Sequence, residues 1–201
     1  MQRNNYLEQI IESAKKYQSQ LLNRVILFVY QNPTDVEYIE VKFEKGNFKH
    51  LIGVETKLKP TNFFENCINR QLGINSFRVT SNTPVKLSVF NTLVHLPNIP
   101  ATIGEFDGTN PKLEFDIAIA KHEMVLGVIK TQDHYYAPLT LLKAGNHFNY
   151  MKSQHPILMT FTKSIGTEVA QYIPSYINAK CDANKVISKL PKHIQETCEL
   201  G

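Results

Sequence analysis

From Thr102 onward the chain reads as a succession of short strands, and the links between them constrain the fold more tightly than any other feature of the sequence. Runs suited to strands recur at Thr102–Phe106, Leu113–Ala120, Met124–Lys130, Tyr135–Tyr136 and Ile157–Lys163. Turn residues mark Asp107-Gly108-Thr109-Asn110, and Lys121-His122-Glu123 is only three residues long. A parallel crossover needs a dozen or more residues, so these connections predict an antiparallel meander.

Ahead of the strands the pattern is different. Tyr6, Ile10, Ile11, Ala14, Tyr17, Leu21 and Leu22 recur at steps of three and four, which predicts an amphipathic helix over Asn5–Leu22. Val25–Tyr30 and Val36–Phe43 are β-rich and flank Gln31-Asn32-Pro33-Thr34-Asp35, the composition of a hairpin turn. A second helix is expected from the N-cap Thr61 to Leu72, stopped by Gly73, and a third from Thr83-Pro84 to just before Pro97. Helices first and sheet second is α+β segregation. The expected fold packs two or three helices on one face of a mainly antiparallel four-stranded sheet. An N-terminal helix-hairpin and a C-terminal tail flank it. Residues 1–165 are read as a single domain and 166–201 as an appendage, with a last short helix over Asn184–Leu190 before Pro191.

Composition excludes more than it selects. Of 201 residues, 42% are hydrophobic and 20% charged, an ordinary globular balance, and a net charge of +4 admits nucleic acid without requiring it. Cys67, Cys181 and Cys198 have no metal-ligand spacing and suit a reducing, cytoplasmic compartment. The apolar run Val25–Tyr30 is far short of the ~20 residues that span a bilayer. No phosphate-binding loop, dinucleotide fingerprint, zinc-protease or hydrolase nucleophile motif is present. With no clustered Cys/His set or paired carboxylates, neither metal nor organic cofactor is expected.

A series of short phrases remains, in order: Phe48-Lys49-His50-Leu51-Ile52-Gly53, Phe63-Phe64-Glu65-Asn66-Cys67, Ile103-Gly104, Leu126-Gly127-Val128, Tyr135-Tyr136-Ala137-Pro138 followed by Leu141-Leu142-Lys143, and Phe161-Thr162-Lys163. The series, over about Phe43 to Lys163, resembles the fourth group of the phage-associated barnase/EndoU/colicin/RelE-like nucleases (PBECR). Ile52 stands where that pattern has threonine, Phe64 where it has tyrosine, Val128 where it has phenylalanine and Thr162 where it has serine. The resemblance implies an RNase fold and RNase ancestry.

RNA cleavage without metal needs a base for the 2′-hydroxyl, an acid for the leaving 5′-oxygen and donors around the phosphorane. His50 is the acid/base candidate, because histidine titrates near neutrality. Lys143 and Lys163 can hold the phosphate; Tyr136 and Thr162 can donate hydrogen bonds to it. Together these five are expected to converge on one concave face. Lys42, Lys45, Lys49 and Lys57, with Lys59, form a basic patch suited to an RNA backbone. Each also has a plain structural reading: His50 as a backbone-bonded core histidine, Tyr136 as packing, the lysines as a solvated face. Three functions stay open. One is an endoribonuclease acting on RNA. Another is a catalytically inactive nuclease fold that binds RNA or a host protein, as an inhibitor or toxin–antitoxin component. The third is an interaction module whose terminal segments form an oligomer or protein-inhibitor interface. No membrane partner is expected.

Overall fold

The computed structural model describes residues 2–106, 108, 114–143, 145, 151–166 and 171–200. Of the expected turn at 107–110 only Gly108 is described, and Leu113 and His147 lie outside the described residues.

The N-terminal periodicity forms α1 (Gln2–Gln20), which buries Ile10, Ala14 and Tyr17 along one stripe. A hairpin of β1 (Arg24–Gln31) and β2 (Val36–Phe43) follows, paired in register from Arg24↔Phe43 to Gln31↔Val36. Its turn is held by the Asn32 Oδ1, which accepts from the backbone N–H of Thr34 at 2.9 Å and of Asp35 at 2.6 Å. Next come α2 (Phe48–Ile52), the two-residue strand β3 (Val54–Glu55), α3 (Pro60–Ile68), β4 (Arg78–Val79) and α4 (Asn82–His95). Pro60, rather than Thr61, opens α3, because proline fits the first helical position. That helix ends at Ile68, four residues earlier than expected, where Arg70 takes a left-handed φ of 56° and the N–H groups of Gln71 and Leu72 turn back to the Asn66 carbonyl.

The meander is present as β5 (Thr102–Glu105), β6 (Ile117–Lys121), β7 (Met124–Lys130) and β8 (Tyr136–Lys143), all antiparallel. It is followed by β9 (His155–Ser164) and β10 (Ile173–Ile177). The main sheet has eight strands in the order β1-β2-β8-β7-β6-β5-β9-β10, not the expected four. The difference has one cause. β9 pairs antiparallel with β1 from Arg24↔Ser164 to Tyr30↔Ile157, so the hairpin and the meander are one sheet. Because β2 also touches β8 through the parallel bridge Val41↔Tyr136, the sheet closes on itself.

β1 is buried on both faces, as its unbroken apolar sequence requires. Ile26 and Phe28 point to the main core, with α1 to α4 and the inner residues of β2, β5, β6, β7 and β8. Val25, Leu27 and Val29 point the other way, toward Met159, Phe161, Tyr172, Val186, Ile187, Leu190 and Ile194. The last five residues belong to the 166–201 segment, which supplies β10, α5 (Ala183–Ile187) and α6 (Lys192–Gln195) to this second layer. Among the described residues no helix is long and apolar enough to cross a membrane.

Since Phe28 is fully buried in a strand hydrogen-bonded on both edges, it has little room to relax around a cavity. Phe28→Ala is expected to cost about 3–5 kcal/mol, read as a lower denaturant midpoint at unchanged slope.

Candidate functional site

β8 is unusual in having one edge only partly paired. Its contact with β2 is confined to Val41↔Tyr136, after which β2 ends at Phe43 and the chain turns into α2. The freed edge beyond Tyr136 is taken up by side chains and by α2 and α4, which pack against β8. Asn47 Nδ2 donates to the Pro138 carbonyl at 3.2 Å, and Lys86 Nζ, from α4, donates to Thr140 Oγ1 at 3.3 Å.

The local sequence explains how His50 is presented there. Phe48, Leu51 and Ile52 share the i, i+3, i+4 face of α2 and are fully buried, which leaves Lys49 and His50 on the other side. Gly53 ends the helix in the left-handed region (φ 69°), with its N–H bonded to the Lys49 carbonyl. The Gly53 carbonyl accepts from Thr80 Oγ1 at 2.8 Å and Thr83 Oγ1 at 2.7 Å, which fastens α2 to the start of α4. One turn along α4 from Thr83, Lys86 reaches back over Gly53 and donates to the His50 carbonyl at 2.7 Å. A Cβ at residue 53 would lie 2.7 Å from the Lys86 Cδ, so glycine leaves the passage for the lysine stem.

His50 is exposed, and its imidazole has no hydrogen-bond partner among the described residues. Partial burial, with the charges of Lys49 and Lys86, holds its pKa below the usual histidine value, so the ring is neutral at pH 7. Burial also brings the Lys86 ammonium down to about 8. Among the described residues Lys86 has no carboxylate partner.

Four of the expected cations are paired with carboxylates. Lys42 pairs with Glu44 at 2.8 Å and Asp133 at 3.5 Å, which raise its pKa, and Lys45 pairs with Glu65 at 2.9 Å. Lys143, at the far end of β8, pairs with Glu123 at 3.1 Å. Lys163 lies 3.9 Å from Glu40 and 4.3 Å over the ring of Tyr172, whose hydroxyl donates to Glu40. Lys57 stands exposed beside a surface hollow lined also by Glu55 and Arg78. Lys49 alone of the expected RNA-binding lysines flanks His50.

The five residues expected to converge do not. Tyr136 and Lys143 are seven residues apart on one strand, roughly 23 Å at the usual rise. Thr162 and Lys163 are neighbours on β9 and therefore point to opposite faces. Thr162 bonds Ser175 at 2.8 Å. Lys163 lies in one cross-strand row with Val25 and Lys42 on the face covered by the C-terminal segment. Tyr136 opens into a cleft at one end of the closed sheet, its phenol kept protonated by burial and by Asp116 and Glu105. Ile52, the departure from the family's threonine, is inside the core, and Phe64 packs its ring against Phe48 and Tyr17.

The arrangement keeps the motif phrases in order on α2, α3, β5, β7, β8 and β9. A family model of the phage-Barnase-EndoU-ColicinE5/D-RelE like nucleases, group 4 (PBECR4), matches residues 9–178, from α1 to the end of β10. The chain belongs to this family. No curated protein and no solved structure matches it. In this PBECR4 chain the residue that sequence reasoning missed is Lys86, which carries no motif. Its only sequence signal is its spacing three residues after Thr83 on a helix that begins next to the His50 phrase. Among the described residues no group of three or more His, Cys, Asp or Glu side chains is placed to hold a metal ion.

The desolvated charge of Lys86 has a measurable consequence. A fall from 10.5 to about 8 corresponds to on the order of 3 kcal/mol against the charged form in the folded state. The two hydrogen bonds it makes return about 1 kcal/mol each. Lys86→Met is therefore expected to raise Tm by about 2–4 °C at pH 7. Because the folded pKa lies below the unfolded one, wild-type stability rises between pH about 8 and 10.5, and the difference from the variant shrinks over that window. Thermal melts of both proteins across that range test it.

Proposed function

We propose that this PBECR4 protein is a metal-independent endoribonuclease whose centre is His50, with Lys86 and Lys49 beside it. The observation that carries the reading is a desolvated lysine without a carboxylate partner, touching the short helix that presents an exposed, neutral imidazole. A strongly perturbed group beside an accessible acid/base side chain is a candidate functional site on physical grounds.

The residue roles follow from protonation state. Neutral His50 accepts the proton of a ribose 2′-hydroxyl, and the freed oxygen attacks the adjacent phosphorus. The P–O5′ bond breaks as the P–O2′ bond forms. The leaving 5′-oxygen takes its proton from Lys86, an ammonium with a pKa of about 8 being a far better acid near neutrality than an ordinary lysine. Lys49 adds charge to the phosphate, and Thr140 orients the Lys86 ammonium. The products are a 2′,3′-cyclic phosphate and a free 5′-hydroxyl, and proton exchange with water restores both groups.

The test is incubation of the purified chain with single-stranded RNA in EDTA. Cleavage is expected to leave cyclic phosphate ends. His50→Ala is expected to lower the rate by roughly 10²–10⁴-fold and Lys86→Met by roughly 10²-fold or more. The pH profile should be a bell. It rises as His50 loses its proton below pH 6.5 and falls through about pH 8 as Lys86 loses its own. A folded wild-type protein that leaves RNA intact would instead favour the non-catalytic RNA- or protein-binding reading. A His50→Ala variant that cleaves at full rate would remove the histidine from the chemistry.

A further inference from the structure

Among the described residues the Lys86 nitrogen has two hydrogen-bond acceptors and no more. Its stem crosses α2 where Gly53 leaves room, and its Nζ donates to the His50 carbonyl at 2.7 Å and to Thr140 Oγ1 at 3.3 Å. Thr140 lays its methyl over Gly127, its partner on β7: a Cβ on Gly127 would come within 2.9 Å of the Thr140 Cγ2. With the methyl on that side, the hydroxyl is left for the lysine. An ammonium has three hydrogens and a neutral primary amine two. Two acceptors therefore match the neutral amine, and its lone pair takes the position of the third N–H, which has no partner among the described residues.

That arrangement suits a nucleophile. With the ammonium brought down to about 8, about one Lys86 in ten carries the free amine at pH 7, against fewer than about one in a thousand for an ordinary lysine. A desolvated lysine of this kind adds to a carbonyl carbon and gives an imine. Part of the side chain stays open to solvent, as that reaction requires. A base stands beside it, because the His50 ring is exposed and near enough for the Lys86 charge to act on it. Lys49 adds a cation on the same short helix, and among the described residues no carboxylate pairs with Lys86 to repel a phosphate ester. An aldehyde, an acidic C–H next to it and a phosphate occur together in DNA that has lost a base. The ring-opened deoxyribose carries the aldehyde at C1′, the hydrogen at C2′ and the phosphate ester at C3′.

We propose that Lys86 and His50 form an imine-dependent lyase site for abasic DNA. The activity shares both groups with the nuclease reading but uses no 2′-hydroxyl, so it does not depend on RNA being a substrate. Lys86 Nζ attacks C1′, the aldehyde oxygen leaves as water, and a protonated imine joins protein to sugar. The imine keeps one N–H, which the His50 carbonyl accepts. Its positive charge acidifies the C2′ hydrogen, and the neutral His50 ring takes that proton. The freed electron pair forms the C2′=C3′ bond as the C3′–O bond breaks, and the phosphate leaves on the downstream strand. Water then hydrolyses the imine, which returns Lys86 and releases the upstream strand with an unsaturated aldehyde end, while His50 passes its proton to solvent. The water lost in forming the imine is regained, and no oxidant or reductant enters the balance.

The test uses the full chain and a labelled single-stranded DNA in which one deoxyuridine has been converted to an abasic site by removal of its uracil. Sodium borohydride reduces the imine to a stable amine, and a protein–DNA adduct that maps to Lys86 by peptide mass is expected. Trapping should rise with pH through about 8, as the amine is freed, where RNA cleavage by the same site falls. Without borohydride the strand should be cut, and a tetrahydrofuran analogue without the aldehyde should stay intact. Lys86→Met and Lys86→Arg, each checked for folding by its melt, should lose both trapping and cutting. His50→Ala should still trap the DNA while cutting it roughly 10²-fold more slowly. Absence of an adduct, an adduct that maps to Lys49 or Lys57 instead, or trapping undiminished in Lys86→Met would overturn the proposal. The two readings fail separately: cleaved RNA beside untrapped abasic DNA defeats only the lyase, and trapped abasic DNA beside intact RNA defeats only the nuclease.

Discussion

The pairing of β1 with β9 is the constraint from which the rest of the molecule follows. β1 is hydrogen-bonded along both edges and buried on both faces, so its five consecutive buried residues Val25 to Val29 are committed to two cores at once. Burial of each such side chain is worth about 1.5–3 kcal/mol, and the strand as a whole anchors both layers. The pairing is also what turns a hairpin and a meander, separated in sequence by α2, β3, α3, β4 and α4, into one closed sheet.

Closure has a cost at the junction of β2 and β8. A parallel neighbour cannot follow β8 to its end, because β2 must leave at Phe43 to begin α2, so the carbonyls of Pro138 and its neighbours need other partners. Asn47 supplies one, at the Pro138 carbonyl, and Lys86 reaches the same strand through the Thr140 hydroxyl. The interruption therefore draws a helix carrying an exposed histidine and a lysine from a second helix to the same strand edge. An interrupted ladder is a natural place for a site, since it is where side chains rather than backbone satisfy the sheet.

Much of this was legible in the sequence and some was not, for reasons that differ from residue to residue. The α1 stripe, the β1–β2 hairpin and the antiparallel links are local patterns, and they are where periodicity and turn chemistry put them, whereas α3 and α4 are capped two residues before the expected Thr61 and Thr83. The phrases that carried the family resemblance were also legible, but their apolar members, Phe48, Phe64, Leu126 and Phe161, are core residues. Such phrases mark where the chain packs, so reading every polar neighbour as part of one site gathered Lys143, Thr162 and Lys163 where strand geometry separates them. Sheet closure was not legible, because it depends on pairings between residues as far apart in sequence as Arg24 and Ser164 or Val41 and Tyr136. Nor was Lys86: the desolvation that distinguishes it from any other lysine exists only once α2, α4 and β8 have met.

Lys86 also shows why net charge was a weak guide to function. A balance of +4 is spread over 22 basic residues, and of the lysines proposed from the sequence as site residues Lys42, Lys45, Lys143 and Lys163 are matched by nearby carboxylates. An exposed pair of this kind contributes little to stability and leaves little field for a ligand. Lys86 is the opposite case. Its ammonium has given up part of its hydration, receives in return only a carbonyl and a hydroxyl, and keeps a third N–H for something else. A fold selected for stability alone would place an apolar side chain there. The chain instead has Gly53 beside Lys86, whose missing Cβ leaves room for the lysine stem, and fixes the neighbouring carbonyl with Thr80 and Thr83, so the desolvated ammonium is held in one place by three separate elements of the fold.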